Sequence, residues 1–266
     1  MAREGSGSEA VVGRSRARSG RRAYLHGMRS WCVVLVVGLV LIGVQAQAKC
    51  AGEWVNVSPA NEVELPAQPN VLVTLGGRFQ KVDLVRDLEF VFGAQRVAVD
   101  VVSQFAGYSQ VVALVKPVTA LPPARWALTL KKSSKEQLGR ALGSWKVTKT
   151  VDEVAPGFVG TPSAGETNWA ELGCGPASSL VVKGVAMNEP NAFVEAKVTV
   201  EGKTETAVFA PKEGSFDLGH GMCSGAFALK PGVMATVVFT PVDVSGNRGA
   251  ASAPVTFTAP GPKQAR

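Results

Sequence analysis

The sequence predicts an all-β chain, with two consecutive β-sandwich domains after an export leader. Three observations carry this expectation. Beyond residue 48 the composition is rich in Val, Thr, Ala, Gly and Pro, and Val and Thr are stiff at χ1 and pack well on a pleated surface. Short apolar or alternating runs recur between Gly and Pro punctuation, which is the spacing of strands in a sandwich or barrel. Helix-period patterns are scarce, and the one candidate helical turn, Ser134 to Leu142, is too short to change the class.

The leader comes first. Arg3, Arg14, Arg16, Arg18, Arg21, Arg22 and Arg29 make a basic start, Trp31 to Val44 is apolar, and Ala46-Gln47-Ala48 offers the small residues a signal peptidase cuts after. A membrane span needs about 20 apolar residues. This run has 14 and ends at Gln45, so residues 1–48 are expected to be a cleaved signal peptide with a disordered leader. Met28-Arg29-Ser30-Trp31 already forms a compact basic start, and no structure is expected over residues 1–27. Lys49 precedes Cys50 where lipidation requires a small residue, so a lipid anchor is not expected.

Removing the leader changes the electrostatics. The whole chain carries a net +7 and the leader accounts for +5 of it, leaving 21 basic and 19 acidic residues. The high pI therefore gives no reason to expect nucleic acid as a partner. The remaining charge is unevenly spread: residues 50–150 carry a net +4 and residues 151–266 a net −3.

The first sandwich is expected over residues 49–150. Val71 to Leu75 is an apolar run that stops at Gly76-Gly77, Leu88 to Phe92 alternates up to Gly93, and Arg96 to Val102 follows. Gln110 to Val115 ends before Pro117, Arg125 to Lys131 alternates after Pro122-Pro123, and Gly143 to Thr148 closes the set. Residues 151–167 hold two prolines and three glycines and read as a linker, because proline cannot donate to a sheet. Phe158 to Thr161 is the candidate first strand of the second sandwich, which is expected over residues 151–266 including that linker. Its further strands are expected at 178–187, 193–200, 204–210, 215–218, 225–229, 233–242 and 254–258.

Several short segments resemble a family. Val57-Ser58-Pro59-Ala60-Asn61 with Leu65-Pro66, Leu121-Pro122-Pro123, and Gly143 to Thr148 are similar to bacterial Ig-like domains of the surface-layer type. Residues 155–260 resemble a second bacterial Ig-like domain. Its marker is Val242-Asp243-Val244-Ser245-Gly246-Asn247, with Ser245 where the family more often has alanine. The resemblance implies two consecutive Ig-like β-sandwich domains and no particular activity.

Beyond the leader the cysteines are Cys50, Cys174 and Cys223. An oxidising compartment favours pairing. Cys174 with Cys223 is the favoured disulfide because both lie in the second half, and closing such a loop would stabilise by roughly 4 kcal/mol. A bridge from Cys50 to the second half is the alternative.

Candidate sites are few. Asp243 and Asn247 flank an expected Asx-type turn in which Gly246 supplies positive φ. Their two oxygens fall short of the six to eight calcium takes. Asp152 and Glu153 in the linker could add to an interdomain site, but nothing in the sequence forces that geometry, so no metal and no cofactor is expected. His220-Gly221-Met222-Cys223 lacks the second histidine of a copper site. It also holds the only histidine outside the leader, with no nucleophile motif around it. Arg125, Lys131, Lys132, Lys135, Arg140, Lys146 and Lys149 form a basic stretch around one hairpin. It reads first as a guarded sheet edge, and second as a patch for an anionic polymer. Trp126 and Trp145 beside it are expected in the core.

The function expected from these readings is that of an exported, non-enzymatic envelope or cell-surface protein with an adhesion, structural or protein-interaction role. The alternatives are a carbohydrate- or anionic-polymer-binding module and a carboxylate-based hydrolase. The expected partners are an envelope protein or an anionic polysaccharide, with no nucleic acid and no stable membrane span after cleavage.

Overall fold

A computed structural model describes residues 52–131, 140–173 and 175–262. These residues are nearly all β and build two sandwiches. The leader, with its seven arginines and apolar run, lies outside them. Among the described residues no helix is long and apolar enough to cross a membrane.

The first half contains β1 (Trp54–Ser58), β2 (Glu64–Leu65), β3 (Val71–Gly76), a 3-10 turn (Gly77–Lys81), α1 (Leu84–Asp87), β4 (Leu88–Phe92), β5 (Gln95–Gly107), β6 (Gln110–Pro117), β7 (Arg125–Leu130) and β8 (Arg140–Val147). Its strands run in the order β1-β3-β6-β5-β4-β7-β8-β2. β5 makes this one sheet into two layers. Its first residues, Gln95 to Ala98, pair with β4, and Val99 to Gly107 pair with β6. A register shift between Val101 and Ser103 marks a bulge, which bends and twists the strand as it passes between layers. The expected strand over 96–102 was too short because Ser103 and Gln104 break its apolar alternation. β8 begins at Arg140, so Arg140 to Leu142 are strand and not the end of a helical turn. The rest of that expected turn lies outside the described residues.

The inner faces carry a core of Val71, Val73, Leu75, Phe90, Val115 and Leu128 around Trp126 and Trp145. Both tryptophans are fully buried. The indole N–H of Trp126 donates to the Pro122 carbonyl at 2.8 Å, and that of Trp145 to the carbonyls of Pro59 and Ala60 at 3.1 and 3.0 Å. The Pro-rich segments before β2 and β7 therefore supply the acceptors that let indoles be buried without cost.

The second half contains β9 (Ser163–Leu172), β10 (Gly175–Lys183), β11 (Phe193–Val200), β12 (Lys203–Phe209), β13 (Phe216–His220), β14 (Met234–Val242) and β15 (Val255–Thr258). A three-stranded sheet, β13-β10-β9, faces a four-stranded one, β12-β11-β14-β15. Leu180, Val182, Leu218, Val198, Val237 and Phe239 fill the space between. Two expectations are corrected here. The first strand is β9, not Phe158 to Thr161; Phe158 makes only a single bridge to Met187, and Pro162 separates the two. Residues 225–229 form no strand. Gly225 makes isolated bridges to Tyr108 and His220, while Ala226, Phe227 and Leu229 plug the core from a loop.

The two sandwiches meet along an apolar seam within one compact unit. Leu72, Val112 and Leu114, on the outer side of β3 and β6, pack against Phe193 and Val208. This is why Val71 to Leu75 and Val111 to Val115 read as unbroken apolar runs: a strand covered on both faces needs no polar alternation. The tip of the β5–β6 hairpin adds a second contact. The Gly225 N–H donates to the Tyr108 carbonyl at 3.0 Å, and the Phe105 ring lies 4.9 Å from that of Phe227. A Cβ on Gly107 would lie 2.3 Å from the Gly225 carbonyl oxygen, so only glycine permits this approach.

Candidate functional site

Register builds the first site. Trp169 of β9 lies opposite Ser178 of β10, and Ser178 lies opposite His220 of β13. Directly opposed residues share a face, so these three side chains stand in one row across the sheet. The Ser178 hydroxyl donates to the Pro260 carbonyl at 3.2 Å, drawing the segment after β15 across the end of the row. The result is a groove of about 830 Å³, walled by Thr167, Asn168 and Trp169 on one side and by His220, Pro260 and Gly261 on the others.

His220 is firmly placed. It is 7% exposed, its ring lies 4.7 Å from that of Tyr108, and its Nδ1 sits 3.0 Å from the Gly221 carbonyl oxygen. A carbonyl only accepts, so Nδ1 carries the proton, and Nε2 of the neutral ring is left as an acceptor. Trp169 presents the complementary group: its indole N–H is buried with no hydrogen-bond partner. Sequence reasoning missed Trp169 because Ser163 to Leu172 has no apolar alternation and its first residues read as linker, so no strand was expected there.

A second cluster forms where the expected linker crosses the second sandwich. Carboxylate oxygens of Asp152, Glu189 and Asp243 all lie within 4.8 Å of one another. Asp243 is fully buried. It accepts from the Asn247 backbone N–H at 2.8 Å and from Asn247 Nδ2 at 2.8 Å. The same Nδ2 donates to the Asp152 carbonyl at 2.7 Å. The expected Asx-type turn is present, with Gly246 at φ +92° and its N–H donating to the Asp243 carbonyl at 3.2 Å. Partial burial, then the charges of Asp243 and Asp152, push the Glu189 carboxyl up to about 7. Hydrogen bonding to Asp152 acts in the same direction. Among the described residues these three are the group that could hold a cation. The sequence reading paired Asp152 with its neighbour Glu153, which is exposed. The carboxylate that arrives is Glu189, from the loop between β10 and β11, and no spacing in the sequence signals it.

The basic stretch divides. Arg125 and Lys146 are register partners at one end of the β7–β8 pair, and Lys131 and Arg140 lie toward the other, roughly 16 Å away at 3.3 Å per residue. Arg125 is bonded to Glu62, Lys146 to Glu64 at 2.6 Å, and Lys131 donates to the Arg86 carbonyl at 2.7 Å with Glu89 at 3.9 Å. Arg140 and Lys149 are exposed. Lys132 and Lys135 lie outside the described residues. Of the favoured disulfide, Cys174 likewise lies outside them. Cys223 is disulfide-bonded.

No family model matches the chain, and no curated protein matches it. Among solved structures, a chain titled as a cytokine receptor complex is similar over 77% of this chain and 96% of its own, at 11% identity and a TM-score of 0.24. A type I pullulanase from Bacillus subtilis str. 168, complexed with maltose, is similar over 77% of this chain and 28% of its own, at 11% identity and a TM-score of 0.23. Likeness at that level carries no argument about this chain.

Proposed function

We propose that the chain is an exported, non-enzymatic envelope or cell-surface protein, built of two Ig-like sandwiches, with an adhesion, structural or protein-interaction role. The observation that supports it best is the joint between the halves. A seam of five apolar side chains and a hairpin tip seated by Gly107 join the halves, and the carboxylate cluster brings the linker residue Asp152 against the second one. A protein that grips a partner or carries load needs such a joint. Seven strands in sheets of three and four are in keeping with an Ig-like second half. His220, the one histidine beyond the leader, is engaged in placing a groove wall by its bond to Gly221 and its contact with Tyr108.

The Cys174–Cys223 disulfide belongs to the same proposal. The position of a Cβ on Gly175, next to Cys174, is 3.7 Å from the Tyr108 hydroxyl, and Tyr108 also contacts the loop that carries Cys223. Peptide mapping without reduction tests the pairing.

Fractionation of cells expressing a C-terminally tagged chain, followed by in-cell crosslinking, tests the function. The expected result is a chain outside the cytoplasm that begins at Lys49 and is crosslinked to an envelope component. An intact leader on a cytoplasmic chain overturns the reading.

A further inference from the structure

We infer that the groove between β9, β13 and the segment after β15 is a binding site for a neutral saccharide. The groove fits that ligand in several independent ways. Its volume of about 830 Å³ lies within the roughly 300–1,000 Å³ of ligand pockets. Among the described residues none that lines it carries a formal charge, so these residues offer no ion pair by which to select an acid, a phosphate or a cation. What it offers is neutral hydrogen-bonding chemistry beside an aromatic ring.

Two of its polar groups are left unmatched in a complementary way. The Trp169 indole N–H is a donor buried without an acceptor, an arrangement that native proteins rarely keep without a use. His220 Nε2 is an acceptor, fixed as such by the bond from Nδ1 to Gly221. A hydroxyl is at once a donor and an acceptor, so vicinal hydroxyls on one sugar ring satisfy both groups. Thr167, two residues before Trp169 on the same strand and so on the same face, also lines the groove, and its hydroxyl supplies a further neutral partner. The Trp169 ring gives the apolar C–H face of a pyranose a surface to lie on.

The wall carrying His220 is also held still. Gly225 bridges to His220 on one side and to Tyr108 on the other, so the first sandwich buttresses a groove that lies on the second. Preorganisation of this kind lowers the cost of binding. Gly221 and Gly261 at the rim leave the backbone open to close approach.

The inference deepens the proposed role, and its test is separable from that role because it uses purified protein. Neutral hexasaccharides of glucose, N-acetylglucosamine, mannose and xylose, with a hexamer of galacturonate as the anionic comparison, are titrated into the ¹⁵N-labelled chain. The indole N–H resonances are followed by NMR. The expected result is that one neutral hexasaccharide shifts the Trp169 resonance and leaves those of Trp126 and Trp145, bonded to carbonyls in the core, in place. Trp169→Phe keeps a ring but removes the donor, and is expected to weaken binding about tenfold. Thr167→Ala, on an exposed residue of the same face, gives a second reading that does not depend on the core. Binding is also expected to be insensitive to ionic strength. The inference is overturned if no neutral saccharide moves the Trp169 resonance at about 10 mM, if the galacturonate hexamer binds more tightly than the neutral ones, or if both variants bind like the parent. A failed titration with an exported chain sinks the groove alone. A successful titration with a cytoplasmic chain sinks export alone.

Discussion

At the seam, Leu72, Val112 and Leu114 meet Phe193 and Val208, and at the carboxylate cluster Asp152, Glu189 and Asp243 gather around Asn247. Both contacts hold the region where the halves join, yet they depend on opposite things. The seam works by removing apolar surface from water, which is non-directional and tolerates changes that keep volume. Among the described residues the cluster places three acids together with no basic side chain as a hydrogen-bond partner, and the Asn247 amide bridges two of them, so its contribution depends on protonation. One contact is a matter of area and the other of protonation.

Breaking the seam should have the largest effect. Phe193→Ala removes a ring that is fully buried, and a loss of about 3–5 kcal/mol is expected from denaturant unfolding. Phe193→Leu should recover much of it. Next comes the hairpin tip. Gly107→Ala sets a methyl against the Gly225 carbonyl, and a cost of about 1–3 kcal/mol is expected, together with loss of amide protection at Gly225 in hydrogen exchange.

The cluster is tested by pH. The Glu189 carboxyl lies above its ordinary value in the folded protein, so the native state binds this proton more tightly than the unfolded chain does. Its contribution is therefore fully present below about 4.5 and is lost as pH rises through about 7. Thermal melts between those values should show stability falling with pH in the parent, and Glu189→Gln should flatten that slope. Asp152 and Asp243 are the charged groups facing it, and a slope unchanged in the Gln variant would mean that they do not couple to it. The smallest effect is expected on the basic hairpin. Lys146→Ala breaks an exposed pair with Glu64 and should change stability by about 0–1 kcal/mol. A larger loss would show that the hairpin charges matter to the fold.

These differences track what was legible in the sequence. Area is written locally: the unbroken apolar runs of β3 and β6, the alternation of β7 and β11, and the two core tryptophans all follow from side-chain periodicity. Convergence is not. Glu189 reaches Asp243 across more than fifty positions, and Trp169 joins His220 only through the register of β9, β10 and β13. The basic hairpin was legible as exposed, but the acids that match it, Glu62, Glu64 and Glu89, come from elsewhere in the sandwich. β5 escaped for a different reason. A strand that changes layers must change its pattern part-way, and Ser103 and Gln104 sit where the pattern turns.

That strand has a mechanical consequence. β5 begins in one layer of the first sandwich, crosses to the other, and ends in the tip that rests on Gly225. The covalent linker and this tip are separate points of attachment, so the second sandwich is fixed against swivelling as well as against separation. A tug on the wall of the groove would pass through Tyr108 into β5 and be spread along hydrogen-bond ladders with β6 and β4. Those ladders run side by side with the strand and resist sliding together, so a load applied at the groove would not open the chain one bond at a time.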